Sequence, residues 1–276
     1  MPMTNLRGML ALVTPLVMLG AGSASAGQMP LAAHRAVYEL KMIKSSGSKA
    51  PADAHGRIAF DFTGSACDGY VMNFRQLTEM TPAEGTVRIS DMRSETFEDG
   101  EGKAFRFSVQ TKLDDRPDDD LDGQASLSGS GDLSIELKRP KLKKADLGQN
   151  VIFPTDHIKR ILATARDGGT TLGVKVYDGS DSGEKVFDTL SVIGKPLTSE
   201  PVEAAAHLPE LAGMTRWPVA ISYFTVGKGD DAPDYVLSFD LYENGISRAL
   251  KLDYGDFVLS GDMSQLELLP PAVCGK

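Results

Sequence analysis

Cysteines and histidines are the side chains of this protein with the greatest potential for catalysis or metal binding. Cys67 and Cys274 stand 207 positions apart, and the histidines are His34, His55, His157 and His207. No two histidines have the H-x-x-x-H spacing of a metal site, and neither cysteine has a second thiol or a histidine at ligand spacing. Each histidine is therefore interpreted as a capping or packing residue. His157 is the histidine of most functional interest, because it falls in the first turn of a predicted helix.

Two oxygen-rich segments could bind a cation. Asp118-x-Asp120-x-Asp122-Gly123 matches the first half of an EF-hand loop, but its twelfth position is Gly129, where calcium requires a bidentate Glu. We interpret it as a solvated acidic loop between strands. Residues 178–183 stand between two alternating segments and are interpreted as a hairpin turn. The sequence thus predicts no catalytic residue, no metal and no cofactor.

The N-terminus predicts export. Residues 1–26 carry Arg7, then an apolar run, and close with Ala24-Ser25-Ala26, the small-x-small pattern that a signal peptidase accepts. The apolar run is interrupted by Pro15 and too short for a membrane-spanning helix. No later apolar run has membrane-spanning length. We therefore expect an exported, soluble mature chain of residues 27–276 in an oxidising compartment.

In such a compartment an isolated pair of cysteines most simply forms one disulfide, Cys67–Cys274. Closing a loop of about 208 residues would stabilise the fold by about 5 kcal/mol on the chain-entropy model. The bond would also fasten the terminal strands of a closed or wrapped sheet, which otherwise fray. The alternatives are two unpaired, buried cysteines and, less readily, a metal site.

Charge limits the kinds of partner. The chain has 29 basic and 38 acidic residues, and removing Arg7 with the signal leaves 28 against 38, a net charge of −10. A duplex-binding protein is usually basic, so nucleic acid is not an expected partner. One basic run stands out in this acidic chain. It comprises Lys138, Arg139, Lys141, Lys143 and Lys144.

Two interpretations of the basic run remain open. The first is a solubilising strand end that protects a sheet edge. The second is a contact with anionic lipid headgroups or with an acidic partner.

Apolar and polar residues alternate with period two in about a dozen segments, which is typical of antiparallel strands with one wet face. Examples are Tyr38–Met42, Phe105–Val109 and the face Val186-Asp188-Leu190-Val192. Glu243-Asn244-Gly245 predicts a type I′ hairpin between two such strands. The pattern predicts an all-β barrel, sandwich or curled sheet in one domain, residues 27–276. A boundary near residues 145–150 is the only alternative.

One helix is predicted within the β pattern. Thr155 can cap a segment from Asp156 to Arg166, which ends before Gly168-Gly169. Ile158, Ile161, Leu162 and Ala165 fall on one face of it. We expect this face to pack against the sheet or to plug an open end. A second short helix is predicted around residues 203–207.

Four stretches of the chain are informative together: Leu31–Tyr38, Phe153–His157, Trp217–Phe224 and Tyr242–Ser247, with the late Cys274. They resemble the EipB-like family of alphaproteobacterial cell-envelope integrity proteins, a domain of unknown function. The resemblance extends in order over essentially the whole mature chain. It implies a periplasmic β-spiral, a single antiparallel sheet wound into a barrel-like form, closed by a disulfide that maps onto Cys67 and Cys274.

The resemblance also implies a function. It favours a periplasmic, non-enzymatic protein that maintains the envelope through protein partners, such as lipoproteins or tetratricopeptide-repeat proteins. It supplies no catalytic residues. The alternative hypothesis, from the curled sheet, is a carrier or chaperone that holds an acyl chain of a lipid or lipoprotein in a cavity.

Overall fold

A computed structural model describes residues 30–47, 50–226 and 232–272 of the chain. The predicted signal peptide and Cys274 lie outside the described residues, so the cleavage site and the disulfide stay predictions. Among the described residues, no helix combines the length and the apolarity needed to cross a membrane.

Fifteen strands and one α-helix make up the regular structure of the described residues. The strands are β1 (His34–Ser45), β2 (Asp53–Ser65), β3 (Gly69–Thr81), β4 (Arg88–Glu98), β5 (Ala104–Leu113), β6 (Arg116–Leu127), β7 (Asp132–Arg139), β8 (Lys143–Gln149), β9 (Val151–Ile152), β10 (Thr171–Val176), β11 (Phe187–Ile193), β12 (Arg216–Thr225), β13 (Tyr235–Tyr242), β14 (Ser247–Asp253) and β15 (Phe257–Leu268). The helix is α1 (Pro154–Arg166).

All the strands belong to one sheet that winds into a nearly closed barrel. Its order is β8-β7-β6-β5-β4-β3-β2-β1-β15-β14-β13-β12-β11-β10-β9. Neighbouring strands pair antiparallel, except that β9 pairs parallel with β10. We call β2–β8 the N-terminal arm and β9–β14 the C-terminal arm. The outermost strands of the two arms, β8 and β9, are consecutive in the chain and are separated by Asn150, which has a φ of 59°.

The strands at the two ends of the chain lie in the middle of the sheet. β1 pairs with β15 from His34 opposite Leu268 to Ser45 opposite Phe257. The expectation that the terminal strands need a fastening was therefore wrong, because each has a hydrogen-bonded neighbour on both sides. The sheet edges are instead at residues 143–152, the region that the sequence offered as the alternative domain boundary.

The predicted inward faces are correct for most strands. Tyr38, Leu40, Phe105 and Phe107 are buried, as the alternation requires. In β11 the predicted face was wrong. Leu190 and Val192 are 43% and 49% exposed, while the buried side chains of this strand are Phe187, Thr189, Ser191 and Ile193. The small hydroxyl residues face inward because α1 packs close to β11, with His157 against Ser191.

Two turn assignments have different outcomes. Residues 178–183 lie in the connection between the paired strands β10 and β11, which confirms the predicted hairpin. The connection between β13 and β14 is also a hairpin, but its turn is not type I′, because Gly245 has a positive φ of 88° and Asn244 does not. The Gly245 amide donates to the Tyr242 carbonyl and the Tyr242 amide donates to the Ile246 carbonyl, so Gly245 is the extra residue of a G1 bulge.

The acidic run is not a loop. Asp118, Asp120 and Asp122 lie in β6, which pairs with both β5 and β7. The alternation of acidic and other residues places Asp120 and Asp122 on the outer face, where they meet the basic run of β7. The solvated-loop interpretation failed because acidic residues are rare in strands unless a neighbouring strand supplies cations.

The predicted helix is confirmed, but its cap is not. Pro154 is the first residue of α1, Phe153 is the N-cap position, and no side chain of the helix's own start caps it. Ile161, Leu162 and Ala165 are buried against strands of the C-terminal arm. In place of the second helix there is a 3₁₀ turn at Ala204–Ala206 and another at Pro209–Leu211.

The apolar core is divided into three clusters. One lies under β1, β2, β14 and β15, one joins β5–β7 to Phe153 and Tyr177, and one joins α1 to β11–β13. Some inward-facing side chains packed against the first cluster are only partly buried, among them Phe60, Phe74 and Leu250. Part of the inner apolar surface of the wound sheet is therefore open to solvent.

Candidate binding site

Helix α1 is held at both ends by other parts of the chain. At its N-terminus the Glu98 carboxylate, at the end of β4, accepts hydrogen bonds from the Thr155 and Asp156 amides, with Oε2 at 2.7 Å and Oε1 at 2.9 Å. At its C-terminus Arg166 Nη2 donates to the Glu243 carbonyl at 2.6 Å. A carboxylate satisfies the free amides of a helix N-terminus and interacts favourably with its dipole. Glu98, from the N-terminal arm, therefore caps the helix N-terminus in place of Thr155.

Burial changes the acidity of Glu98. Glu98 is 2% exposed, and this burial raises the pKa of its carboxyl group to about 7. The hydrogen bonds from Thr155 and Asp156 act in the opposite direction without offsetting the loss of water. The contact between β4 and α1 therefore contains a group that titrates near neutral pH.

An open cleft of about 760 Å³ lies beside α1, and we call it the helix cleft. Its walls come from residues 30–33, the β2–β3 turn, α1, the β13–β14 turn and the tail after β15, with Glu210 and Met214 from the connection between β11 and β12. Most of its surface is apolar, with Leu31, Leu162 and Leu269 among the lining side chains. Its size is within the range of ligand pockets.

Two cations border the helix cleft, and both make contacts within the protein. The Lys159 Nζ lies 4.4 Å from the centroid of the Tyr70 ring, and Arg166 bonds the Glu243 carbonyl. Lys159 lies off the apolar face of the helix but is still partly buried, because the N-terminal arm covers that side of α1.

Stretches that carry the family resemblance meet at this cleft. Leu31, Ala32, Ala33 and Asn244 line it, and Phe153–His157 begins the helix beside it. Gly245 is explained by the same contact. Its φ is positive, and a Cβ atom there would lie 2.6 Å from Leu31 Cδ2.

The cysteine turn is also part of the cleft. Cys67 is exposed in the turn between β2 and β3, and its neighbours Ser65 and Ala66 line the same cavity as Pro271 and Ala272. The tail thus runs toward Cys67 two residues before Cys274. This arrangement agrees with a Cys67–Cys274 disulfide, which remains a prediction.

The structure does not bring the four histidines together. His34 is buried in β1 with Nδ1 2.8 Å from the Ala32 carbonyl, and His55 is exposed beside Asp53. His207 contacts the Pro201 carbonyl. His157 is buried, its Nε2 is 3.2 Å from Ser191 Oγ, and burial lowers its pKa to about 4. Among the described residues, no three His, Cys, Asp or Glu side chains are grouped to hold a metal ion.

The basic run is largely neutralised by acidic side chains. Arg139 lies 3.0 Å from Asp120 and 3.4 Å from Asp122, and Lys138 lies 3.6 Å from Asp122. Lys143 pairs with Glu184 and Lys144 with Glu136. The acidic and basic runs that stand out in the sequence are thus partners on neighbouring strands. A contact of this run with lipid or an acidic partner stays a prediction.

Sequence reasoning missed a buried group of charges in the C-terminal arm. Asp240 accepts from Arg216 Nε at 3.1 Å and from Arg248 Nη1 at 2.5 Å, and Arg248 also pairs with Glu203. One signal was present. Arg248 occupies an inward position in the alternating segment from Ile246 to Leu252, where an apolar residue is expected.

The architecture defines a class of protein: one long antiparallel sheet wound into a barrel-like form, with a single helix held against it. A crystal structure of a β-barrel-like protein of a domain of unknown function from Brucella abortus matches it. The TM-score is 0.82 and the identity 32%, over 88% of this chain and 100% of that one.

The sequence comparisons identify the family. The model of the EipB-like family matches residues 25–270, so this chain belongs to the EipB-like family. The cell envelope integrity protein EipB of Brucella abortus (strain 2308) is 34% identical over 250 residues, which cover 90% of this chain and 88% of that protein.

Proposed function

We propose that this protein maintains the integrity of the cell envelope as a non-catalytic binding protein in the periplasm, acting through protein partners. The family membership supports the envelope role, since a relative at 34% identity is named for it. The observation that supports a binding role is the helix cleft, which is open, largely apolar and built from both ends of the described chain. Envelope lipoproteins and tetratricopeptide-repeat proteins are the partners we favour.

The chemistry of the described residues supports binding over catalysis. The contact between His157 and Ser191 has the composition of a nucleophile–base pair, but the two side chains are 2% and 0% exposed. A nucleophile must reach its substrate. The lowered pKa of His157 follows from burial, which keeps its ring neutral in the folded protein.

Complementation of a deletion strain tests the envelope role and the absence of catalysis. A strain without the protein should be sensitive to detergent and to cell-wall antibiotics. The double variant His157→Gln/Ser191→Ala should restore resistance if it folds, as judged by circular dichroism. A folded and well-expressed double variant that does not complement would contradict the non-catalytic proposal.

Photo-crosslinking from the cleft tests the partner proposal. A benzophenone amino acid at Glu210, an exposed residue of the cleft wall, should give adducts with envelope proteins in intact cells. The matched control is Val87, which is 47% exposed, lies in the β3–β4 connection and is not part of the cleft lining. Adducts of equal yield at the two positions, or none at Glu210, would contradict a partner site at the cleft.

A second candidate function is favoured by the inner apolar surface that is open to solvent. Phe60, Phe74 and Leu250 face inward but remain partly exposed, which fits a carrier of an acyl chain. Mass spectrometry of native protein from the periplasm should then find a co-purifying lipid at near-stoichiometric amounts. Protein free of lipid in that measurement would rule out stable carriage and leave the partner proposal standing.

A further inference from the structure

Strand β10 has an open edge at its start. On one side, β10 pairs with β11 along its whole length. On its other side, β9 pairs only with Lys175 and Val176. Among the described residues, no strand pairs with that side of β10 before Lys175. We call Thr171–Gly173 the open edge of β10.

The backbone groups of β10 alternate between its two sides. The Ile193 amide at the end of β11 donates to the Thr170 carbonyl, and the Tyr177 amide donates to the Ile152 carbonyl of β9. In an antiparallel pair, the groups that face one neighbour recur at every second residue. The even-numbered residues of β10 therefore bond to β11, and the odd-numbered residues point to the other side.

Two residues of the open edge thus present unpaired backbone donors and acceptors. The N–H and C=O groups of Thr171 and Gly173 point away from β11, and none of them bonds to another described residue. Both residues are exposed. Such a row of unpaired groups is a template for pairing with another extended chain.

The side chains beside the open edge are uncharged, and those on β11 are apolar. Gly173 lies opposite Leu190 and Thr171 lies opposite Val192. Leu190 and Val192 are 43% and 49% exposed. A Cβ atom on Gly173 would have one neighbouring atom within 4 Å, the Thr189 carbonyl oxygen at 3.8 Å. A side chain on a residue paired with Gly173 therefore has room to lie across it and cover Leu190, as aromatic residues cover edge glycines in other sheets.

The edge of the sheet at β8 differs from the open edge of β10. Lys143 and Lys144 are exposed at the start of β8, and lysine on an edge strand discourages pairing with another chain. Gly148 has a φ of 93°, and the pairing of β8 with β7 contains a break in register. Thr171–Gly173 has no charge and no proline, and its pairing with β11 is regular. The open edge of β10 thus lacks the features that protect an edge.

We propose that the open edge of β10 binds an extended segment of a partner protein. The segment adds a short antiparallel strand to the sheet and places an aromatic or branched apolar side chain over Gly173. None of the residues of the open edge lines the helix cleft. The inference therefore does not depend on a partner at the cleft.

The size of the open edge favours a flexible segment over a second copy of this chain. Three residues of a strand are about 10 Å long, whereas a stable interface buries about 800 Å² on each partner. β9 closes the edge at one end, and the turn of residues 167–170 after α1 closes it at the other. A peptide segment fits between them more readily than the edge strand of a folded sheet.

Fluorescence anisotropy with the full mature protein tests the proposal. The probe is the peptide Lys-Val-Phe-Val-Thr-Lys, with a fluorophore on its N-terminus and an amide on its C-terminus. It should bind saturably, since main-chain hydrogen bonds supply the affinity in this mode of recognition. N-methylation of the Phe removes the amide that faces Gly173 and should weaken binding about 10-fold or more.

The matched control peptide is N-methylated at the Val that follows the Phe. The amide of that Val points away from β10, so its loss should change the affinity by less than about 3-fold. The proposal is wrong if the peptide with N-methyl-Phe is not the weaker of the two. It is also wrong if the unmodified peptide shows no saturable binding up to about 1 mM.

Two variants at Gly173 locate the site. Gly173→Pro removes the N–H that faces the open edge and no bond to β11, and proline is tolerated at such edge positions. It should abolish peptide binding while the circular dichroism spectrum stays that of the wild type. Gly173→Ala keeps the N–H and should bind within about 3-fold of the wild type. A folded Gly173→Pro protein with wild-type affinity would overturn the assignment, and if this variant does not fold, the two N-methylated peptides decide.

Light scattering tests for a second copy at the same edge. The wild type should give the same mass as a folded Gly173→Pro protein. A wild-type dimer that Gly173→Pro converts to a monomer would assign the open edge to a second copy of this chain and overturn the partner proposal.

Discussion

The two arms of the sheet use the same strand pairing but differ in what the connections between strands contain. In the N-terminal arm, β2–β8 follow one another as hairpins with short connections, and each strand lies beside its neighbour in sequence. In the C-terminal arm, α1 lies between β9 and β10, and residues 194–215, which we call the strap, lie between β11 and β12. Both insertions contribute to the helix cleft, since α1 supplies Lys159, Leu162 and Arg166 and the strap supplies Glu210 and Met214.

A matched pair of carboxylates shows what the insertions change. Asp91 on the N-terminal arm pairs with Arg75 and Arg93, whose side chains are 49% and 57% exposed. Asp240 on the C-terminal arm pairs with Arg216 and Arg248, whose side chains are 5% and 9% exposed. The strap covers the two arginines of the second group, whereas the two carboxylates are equally exposed, at 17% each. The same arrangement of one carboxylate and two arginines therefore lies at the surface of one arm and has its arginines buried in the other arm.

The largest effect is expected where a covalent bond would join the N-terminal arm to the tail. Cys67→Ser should lower the free energy of unfolding by about 5 kcal/mol and leave a folded protein, because the strands retain their core. Urea unfolding measures this loss of stability. Wild-type protein treated with a reductant is the matched control, and it should have the same free energy of unfolding as the variant. Thiol labelling of denatured, unreduced wild type should find no thiol, and two free thiols would contradict the bond.

The next effect tests the comparison of the two carboxylates directly. Asp240→Asn should destabilise the fold by about 3–5 kcal/mol, because it leaves the buried Arg216 guanidinium without a carboxylate and removes one of the two carboxylates that pair with Arg248. Asp91→Asn should cost about 1 kcal/mol or less, since its arginines are solvated. Urea unfolding of both variants measures the difference. Equal losses would mean that the strap does not shield the buried group.

The helix insertion gives the third effect. Ile161→Asp places an unpaired charge where α1 packs on the C-terminal arm, and it should cost about 3–4 kcal/mol. Ala163, which is exposed on a different face of α1, is the matched control site. Ala163→Asp should cost about 0.5 kcal/mol, the difference in helix propensity. A large loss in both variants would show that the two faces of α1 are equally covered.

The sequence predicts the N-terminal arm better than the C-terminal arm, for a physical reason. Alternation of apolar and polar residues identifies a strand that has one face on the core and the other in water. Phe105–Val109 in β5 is such a strand. In β11 the inner face meets a helix at close range, so it carries Thr189 and Ser191, and the exposed Leu190 and Val192 mimic a core face. The alternation within a single strand cannot indicate a contact with a distant residue, and His157 and Ser191 are 34 residues apart in the chain.

The binding sites were largely beyond prediction for the same reason. Thr155 was a sound local cap, but Glu98 reaches the helix from 57 residues away in the chain. Arg216, Asp240 and Arg248 form a buried group because the strap covers them, and the course of the strap cannot be predicted from sequence periodicity. Only Arg248, on an otherwise apolar strand face, indicates this group in the sequence.

The smallest effect concerns pH at the contact between the arms. The Glu98 pKa of about 7 lies above its ordinary value of 4.5, so the folded protein holds a proton that the unfolded chain releases between these values. The stability that Glu98 contributes is therefore fully present below about pH 4.5 and is lost as the pH rises through 7. His157 acts in the opposite sense. Its lowered pKa of about 4 removes stability as the pH falls below 6.5.

Comparison with Glu98→Gln separates the two groups, because His157 is present in both proteins. The free energy of unfolding of Glu98→Gln minus that of wild type should rise between pH 5 and pH 8, by at most about 3 kcal/mol. Urea unfolding at the two pH values measures it. Glu95→Gln, an exposed site on the same strand, should leave the difference constant. If Glu98→Gln also gives a constant difference, the carboxyl group that joins β4 to α1 does not titrate in this range, and the arms are joined by a permanently charged cap.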